Sequence, residues 1–216
     1  MKAKRKVTLG GYFAELYGSG RPGFFAYSPA LAPKPPDWTP QMHVTGYWRL
    51  PPEPSWTPPA HVAEFLGRGD PPVCIGFGSM HDPRIERIFP LALEVLRAMG
   101  LRAIVLSGWS GVRPDAADVC VAESIPHDWL FPRLAAVVSH GGAGTTAAAL
   151  RAGVPSVILP FFFDQSFWGR WLAEKRLGPD PISSRRVTAE TLRKALDRAL
   201  GDRAMRGRLA QLTARV

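Results

Sequence analysis

A histidine and three glycines stand together where an apolar run ends. From His140 to Thr146 the chain reads HGGAGTT, directly after a run that ends at Ser139. Glycine lets an anion approach the backbone because no Cβ intervenes, and a helix start offers free N–H groups at the positive end of its dipole. The threonine hydroxyls and the histidine ring add further donors. These residues therefore predict an anion site, although a tight turn in which the glycines only relieve strain explains the pattern equally well.

The elements around this turn follow an α/β pattern. Apolar runs of strand length recur from residue 73 onward, with helical segments between most of them. Continuous apolar strands that alternate with helices indicate a parallel sheet covered on both faces, which is a Rossmann-like, doubly wound α/β domain. The predicted strands are Val73–Gly78, Arg102–Ser107, Asp118–Glu123, Leu134–Ser139 and Val154–Pro160.

Helical periodicity predicts the layers that cover this sheet. Thr145–Ala152 is predicted as the helix after the glycines, Thr188–Leu200 as an amphipathic helix with Thr188 at its N-cap, and a last helix from Asp202. In an open α/β sheet, ligands bind where loops leave the carboxyl ends of the strands, and the Gly141–Thr146 turn holds such a position. A further helix is indicated by the spacing of Ile85, Ile88, Phe89, Leu93 and Leu96.

The composition is that of an ordinary globular protein. The chain has 216 residues, 46 % hydrophobic and 21 % charged, and no apolar run approaches the roughly 20 residues of a membrane span. The basic start has no apolar stretch behind it, so no secretory signal is indicated and a cytoplasmic protein without an integral membrane segment is expected. Cys74 and Cys120 lie in apolar stretches without metal-ligand spacing and are expected to be free thiols.

The charge balance favours an anionic partner. The net charge is +9 and the pI is near 10.1. The arginines are spread over the second half, with a cluster at Arg185 and Arg186, and they lack the aromatic interleaving typical of single-strand binding. A solvated arginine-rich surface is therefore the favoured interpretation, and no nucleic-acid partner is expected.

Proline and tryptophan crowd the segment from Arg21 to Pro59. Proline at this density forbids helices and most sheet interiors, so the segment is predicted to be an extended connector. It is expected to be pinned by its aromatic side chains, which are Phe24, Trp38, Trp48 and Trp56.

The longer stretch HGGAGTTAAALRAGVPSVILPFFFDQ resembles, in order and spacing, the signature region of family 1 glycosyltransferases. These are UDP-sugar-dependent enzymes of the GT-B fold. Further segments, VCIGFGSM, VLSGWSG, SIPHDWLFP and YSPALAPKPPDW with HVTGYW, resemble sterol glucosyltransferases and antibiotic glycosyltransferases, so that the resemblance runs from Phe24 to the C-terminus. The matching signature positions are His140, Gly141–Gly144, Gly153-Val154-Pro155, Pro160 and the pair Asp164-Gln165.

The resemblance implies a donor-binding site. Ser79 is implied as a hydroxyl donor to the phosphates, with a turn or N-cap hydroxyl as the equal alternative. Asp164 and Gln165 are implied to grip sugar hydroxyls, and the alternative for Asp164 is a helix N-cap. The diphosphate is implied to rest on His140, Gly142, Ala143, Gly144 and Thr145.

The nucleoside contacts depart from the pattern of the plant members. Ile125 and His127 are implied to frame the base, but Ser124 stands where plant members carry a stacking tryptophan. Ala148 stands where they carry a glutamate that grips the ribose. The choice of UDP over TDP or GDP therefore stays open. Trp109 is a candidate for the base pocket, although a core tryptophan is the favoured interpretation.

The same resemblance places the chain in the C-terminal half of a GT-B enzyme. The histidine general base is expected in an N-terminal acceptor domain, since His43, His61 and His81 lie outside the matched positions, and no catalytic residue is assigned to this chain. No metal site and no cofactor are expected. The expected organisation is a remnant or non-native segment 1–23, an interdomain connector 24–60, and a donor-binding domain 61–216 that is truncated at its C-terminus.

The function that follows is inverting transfer of a hexose from a UDP-sugar, with UDP-glucose as the family default, to a hydroxyl of a lipophilic acceptor such as a sterol. The chain alone is expected to be inactive and to need an acceptor domain or partner chain. Two alternatives remain: a non-catalytic donor-binding subunit that works with a separate acceptor chain, and a GT-B nucleotide-sugar epimerase. The Asp164-Gln165 pair and the PHDWLFP segment argue against the epimerase.

Overall fold

The computed structural model describes residues 18, 20–49, 53, 55–108 and 116–215. The described residues up to 49 belong to one compact unit, and those from 53 to 215 belong to a second. The boundaries expected at residues 23 and 60 remain predictions.

The first unit contains a short parallel pair of strands, β1 (Gly23–Phe25) and β2 (Met42–Val44). Neither strand contains a proline, because a proline has no N–H to donate to a neighbouring strand. The segment between the two strands contains Pro29, Pro33, Pro35, Pro36 and Pro40. The ring of Phe25, at the end of β1, packs on Trp38 of this segment with centroids 4.0 Å apart. The proline-rich segment is thus partly organised, with extended pieces where its sequence allows them.

The second unit is built on a parallel sheet. Within the described residues, the sheet has five strands in the order β5-β4-β3-β6-β7, and every neighbouring pair is parallel. Each predicted strand is present, trimmed by one or two residues at its ends. The strands are β3 (Val73–Gly76), β4 (Ala103–Leu106), β5 (Val119–Ala122), β6 (Ala136–Ser139) and β7 (Ser156–Ile158).

Helices connect these strands. The described helices are α1 (Ala60–Gly67), α2 (Arg84–Ala98), α3 (His127–Leu130, followed by the 3-10 turn Phe131–Arg133), α4 (Ala143–Arg151), α5 (Asp164–Glu174), α6 (Ala189–Gly201) and α7 (Arg203–Thr213). The predicted cap of α6 is confirmed: the Thr188 hydroxyl accepts from the backbone N–H of Thr191, and the two residues form a capping box. Asp202 caps α7 by accepting from the N–H of Met205 at 2.9 Å.

Each face of the sheet carries its own apolar core. On one face, Ile75 and its neighbours pack with buried residues of α2 and α6, among them Phe89 and Leu196. On the other, Cys74 and its neighbours pack with α1, the 3-10 turn and α4. The side chains of adjacent strand residues therefore pack into opposite cores, which is the doubly wound α/β arrangement predicted from the sequence.

Both cysteines are buried free thiols, as predicted. Burial raises the pKa of Cys74 to about 12 because the thiolate would lose its hydration. In the described part of the chain, no helix combines the length and the apolarity needed to cross a membrane.

Candidate active site at the switch point of the sheet

The strand order reverses between β3 and β6. From β3 the chain moves outward through β4 to β5, and then returns to place β6 on the other side of β3. The loops that leave β3 and β6 consequently diverge and leave a crevice at the carboxyl edge of the sheet. This is where open α/β sheets bind their ligands.

The turn after β6 requires glycine. Gly141 has φ +83°, which lies in the left-handed region that residues with a side chain rarely adopt. At Gly142, an added Cβ would lie 2.5 Å from Nε2 of His140. The ring of His140 thus packs directly on the backbone of Gly142, so any side chain at position 142 would displace it.

Helix α4 begins at this turn with its N–H groups exposed to a ligand. Gly142 occupies the N-cap position and supplies no side-chain cap. The N–H of Thr146 donates to the carbonyl of Gly142 at 2.9 Å and is the first N–H bonded within the helix, so the N–H groups of Ala143, Gly144 and Thr145 have no helical acceptor. These donors lie at the positive end of the helix dipole, and this arrangement suits a phosphate.

His140 stands beside this helix start, in surroundings that favour its neutral form. Burial lowers its pKa, and the nearby carboxylate of Asp164 opposes the shift. Its Nδ1 atom is buried and has no hydrogen-bond partner among the described residues, and the same holds for the hydroxyl of Thr146. Buried polar groups normally find partners, so these atoms indicate a position where a polar ligand completes the hydrogen bonding.

A cavity of about 190 Å³ opens at the carboxyl edge, here called the switch-point cavity. Four of the predicted site residues line it together, namely Ser79, Ile125, His127 and Thr145. They come from the loop after β3, the segment after β5 and the first turn of α4. The topology has therefore gathered residues that are up to 66 positions apart in the sequence, from Ser79 to Thr145.

His127 forms one wall of this cavity. Its ring stacks on Phe131, with centroids 4.4 Å apart and an interplanar angle of 19°. Burial lowers the pKa of His127, while the adjacent Asp128 raises it and Arg151 and His140 lower it further. A neutral imidazole on an aromatic ring gives a flat wall against which a base can lie.

Asp164 and Gln165 lie at the start of α5 but differ in their surroundings. Asp164 is exposed and close enough to His140 to act on its pKa. The helix begins at Asp164, with Phe163 in the N-cap position and no side-chain cap, so the N-cap alternative for Asp164 is wrong. Asp164 is therefore available to a ligand.

Gln165 is 4 % exposed and holds the loop before it. Its Oε1 accepts from the N–H groups of Phe161 at 2.8 Å and Phe162 at 3.2 Å. Its Nε2 points to the sulfur of Met80 at 3.8 Å, next to Ser79. The oxygen of Gln165 is thus occupied by the loop, and its amide nitrogen donates one of its two hydrogens to Met80, so that only the second hydrogen is left for a sugar.

The structure also identifies a residue that the sequence reasoning missed. Glu123 lines the switch-point cavity directly after β5, beside Ser124. Its position at the carboxyl end of a strand was the available signal. Ala148, at the position of the plant glutamate, is 3 % exposed within the core and contributes no polar group. The prediction for Trp109 lies outside the described residues.

Metal ligands are not clustered here. In the part of the chain that the structure describes, no three His, Cys, Asp or Glu side chains are placed to hold a metal ion. Metal-independent binding of the donor remains a prediction.

Comparison with known proteins bears directly on this site. Residues 104–216, which contain β5 to β7 and the glycine turn, match the family described as the erythromycin biosynthesis protein CIII-like C-terminal domain. The chain belongs to the family 1 glycosyltransferases.

The curated relatives of this glycosyltransferase chain include enzymes of two kinds. A sterol 3-beta-glucosyltransferase of Arabidopsis thaliana is 42 % identical over 201 residues, covering 89 % of this chain and 33 % of the relative. The O-mycaminosyltylonolide 6-deoxyallosyltransferase of Streptomyces fradiae is 39 % identical over 198 residues, covering 90 % of this chain and 46 % of the relative. The chain spans about a third of the length of the sterol glucosyltransferases of Arabidopsis thaliana that it matches.

Solved structures agree on the fold. The glycosyltransferase of kitacinnamycin superposes with a TM-score of 0.71 at 20 % identity, covering 94 % of this chain and 52 % of that structure. The calicheamicin glycosyltransferase CalG4 gives a TM-score of 0.70 at 17 % identity, covering 95 % and 55 %. The predicted fold, half of a GT-B glycosyltransferase, is confirmed.

Proposed function

We propose that this chain binds the nucleotide-sugar donor of an inverting glycosyltransferase, with UDP-glucose as the donor and a hydroxyl of a lipophilic molecule, such as a sterol, as the acceptor. The observation that carries the proposal is the meeting, at the switch point, of the uncapped start of α4, the unpartnered Nδ1 atom of His140 and the switch-point cavity. The sterol glucosyltransferases among the relatives support the choice of sugar and of acceptor class.

Different residues of the site bind the diphosphate, the nucleoside and the sugar of the donor. The N–H groups of Ala143 to Thr145 and the ring of His140 hold the diphosphate, and Ser79 adds a hydroxyl. The nucleoside enters the switch-point cavity, where His127 and the segment at Ile125 frame the base. Asp164 and the Nε2 atom of Gln165 hold sugar hydroxyls. Glu123 binds the ribose hydroxyls, because Ala148, at the position of the plant glutamate, has no polar group to bind them.

We infer the reaction from this proposed placement of the donor. The acceptor oxygen attacks C1 of the sugar from the face opposite the diphosphate, and the bond from C1 to the diphosphate oxygen breaks with inversion. Negative charge develops on the departing oxygen, where the start of α4 and His140 stabilise it. A general base takes the acceptor proton. We expect that base in an N-terminal acceptor domain, and we therefore expect this chain alone to bind the donor without transferring the sugar.

Calorimetric titration of the folded chain with UDP and with UDP-glucose tests the proposal, with TDP and GDP as matched nucleotides. We expect saturable binding of both uridine ligands and weaker binding for His140→Ala, since the variant removes a donor to the diphosphate. His43→Ala, which removes an exposed histidine of the first unit, is the matched control and should bind as the unaltered chain does. A folded chain that binds none of the nucleotides would refute the donor site.

A specific observation favours a second candidate, a non-catalytic donor-binding subunit with a separate acceptor chain. Phe162, Phe163 and Phe167 are exposed by 49 %, 83 % and 49 % around the start of α5. Phe163 also has φ +47°, an unusual backbone for a residue with a side chain. Exposed aromatic groups of this kind mark interaction sites.

Incubation with UDP-glucose separates the remaining alternatives. Formation of a second UDP-hexose without any acceptor would identify an epimerase. Transfer that begins only when a separate acceptor chain is added would identify the subunit. We also propose a cytoplasmic location, which the two buried free thiols support because reducing compartments preserve them.

A further inference from the structure

A second cavity lies on the same edge of the sheet, beyond β7. It has a volume of about 750 Å³ and opens between the end of β7, the first turns of α5 and the segment that leads to α6. We call it the arginine cavity. Its polar lining consists chiefly of Arg84, Ser166, Arg170, Ser183, Arg185 and Arg186.

Arg84 is fixed in the wall and already neutralised. Its guanidinium donates to both oxygens of Asp82, at 2.7 Å and 2.6 Å, and to the hydroxyl of Ser184 at 2.8 Å. The same group lies over the ring of Phe161, 4.6 Å from its centroid. The hydrogen bond from Arg84 holds the pKa of Asp82 below its usual range, so this pair remains charged and balanced.

The other three arginines lack such a partner. Among the described residues, no carboxylate forms an ion pair with Arg170, Arg185 or Arg186. Asp82 is the nearby carboxylate that interacts with Arg185 at longer range, and it is already held by Arg84. Three guanidinium groups from two separate elements thus surround one cavity with an unbalanced positive charge.

The segment that carries Arg185 and Arg186 is held in place from two sides. The N–H of Ile182 donates to the carbonyl of Ile158 at 3.0 Å, which ties the segment to β7. Arg87 of α2 donates to the carbonyls of Ser184 at 2.9 Å and Val187 at 3.2 Å. The backbone that presents the two arginines is therefore organised before any ligand arrives, which lowers the entropic cost of binding.

Three serine hydroxyls complete the lining. Ser184 is engaged, since its hydroxyl donates to the carbonyl of Pro160 at 2.8 Å. The hydroxyls of Ser166 and Ser183 form no hydrogen bond with the described residues. Free guanidinium and hydroxyl donors around one space match the oxygens of a phosphate group, which accepts bidentate hydrogen bonds from arginine.

We propose that the arginine cavity is a second anion site, which binds a phosphate group apart from the diphosphate of the donor. This inference stands on the arginine cavity alone and does not depend on the donor assignment. The phosphate belongs either to a small phosphorylated molecule or to the headgroup of an anionic lipid.

Inorganic pyrophosphate is the first probe, titrated by calorimetry into the full chain with UDP held in excess so that the switch-point site is occupied. The test variant is Arg185→Gln with Arg186→Gln. Its matched control is Arg203→Gln with Arg206→Gln, which removes the same charge from exposed positions of α7. Arg170→Gln on α5 is a second, independent test variant.

We expect the Arg185/Arg186 variant to bind pyrophosphate at least about tenfold more weakly, since a hydrogen bond to a charged group contributes about 1.5 kcal/mol or more. Arg170→Gln should weaken binding in the same direction. The control should bind as the unaltered chain does. UDP affinity should be equal in all of these chains, and circular dichroism should show them equally folded, because the replaced side chains are exposed.

Cosedimentation with phosphatidylcholine vesicles, with and without phosphatidylglycerol, distinguishes the source. Loss of vesicle binding in the Arg185/Arg186 variant would support the site and assign it to a lipid headgroup. Loss of pyrophosphate binding alone would support the site and assign it to a small molecule. The inference is overturned if neither probe binds, or if the control variant loses as much binding as the test variant.

Discussion

Two regions on one edge of the sheet are suited to anions, and they are made in different ways. At the switch point, the donors are backbone N–H groups and a neutral histidine, held by glycines that let His140 rest on Gly142. In the arginine cavity, the donors are side chains with full charges, and Asp82 balances only one of them. The backbone site depends on shape, whereas the arginine site depends on charge, and experiments on shape, salt and pH separate them.

A change of shape at the switch point should give the largest loss of donor affinity. In Gly142→Ala, the new Cβ would lie 2.5 Å from Nε2 of His140, so the ring and the start of α4 must shift apart. Such overpacking costs about 2 kcal/mol, and we expect donor affinity to fall about 30-fold by calorimetry.

Gly207→Ala is the control for that change, because an added Cβ there meets no atom within 4 Å. It should leave UDP binding unaltered. The shape argument fails if Gly142→Ala binds UDP as well as Gly207→Ala does. Pyrophosphate binding in the arginine cavity should be the same in both variants.

The sequence carried the information for the glycine turn because that signal is local. An apolar run, two adjacent glycines and an alanine-rich segment predict a strand, a turn and a helix, and β6 and α4 follow within two residues of the predicted ends. The capping box at Thr188 and the cap at Asp202 are local for the same reason. Predictions from local sequence patterns hold in the folded protein when the elements pack as their periodicity indicates.

What the sequence alone could not supply depends on contacts between distant residues. Gln165 looks like a free sugar ligand in the sequence, yet its Oε1 is occupied by the loop at Phe161. The arginine cavity joins Arg84 to a segment a hundred residues later, where its Nη1 meets Ser184. Glu123 became a candidate only when the sheet order placed the end of β5 beside the loop after β3.

Substitution of Glu123 should give the next largest loss of donor affinity. If its carboxylate holds the ribose, Glu123→Gln loses a charged hydrogen bond of about 1.5 kcal/mol, and UDP should bind about tenfold more weakly. Binding of 2′,3′-dideoxy-UDP should change little, since that nucleotide lacks the ribose hydroxyls.

Glu174→Gln, at the end of α5, is the matched control for Glu123→Gln and should leave both affinities unaltered. If Glu123→Gln weakens the binding of UDP and of the dideoxy nucleotide equally, Glu123 acts on the cavity as a whole. The proposal that it binds the ribose would then be wrong.

Raising the salt concentration should weaken ligand binding differently at the two regions, by a smaller factor than the substitutions above. Between low and physiological ionic strength, exposed charges are progressively screened, with a Debye length of about 8 Å at the upper end. Pyrophosphate binding in the arginine cavity should therefore weaken several-fold more than UDP binding at the switch point, measured by calorimetry in the same buffers. Parallel salt slopes for the two ligands would contradict the distinction between a charge-based and a backbone-based site.

The smallest effect concerns stability and pH, and it belongs to the switch point because His127 and His140 lie there. Burial lowers the pKa of both residues below the ordinary value of 6.5, so the unfolded chain takes up protons before the folded chain does. Their contribution to stability is complete above that value and is lost as the pH falls through the lowered folded values. The free energy of unfolding in urea should therefore decrease between about pH 7.5 and about pH 5.5.

Replacing both residues, as His127→Asn with His140→Asn, should reduce that decrease, whereas the control His43→Asn removes an exposed histidine of the first unit and should leave it unaltered. Arginine stays protonated throughout this range, so the Arg185/Arg186 variant should follow the unaltered chain. If the His127/His140 variant loses as much stability on acidification as the control, the buried imidazoles do not set the pH dependence. The neutral state of His140 would then lose its thermodynamic support, and a charged imidazolium beside α4 would make the switch point a charge-based site like the arginine cavity.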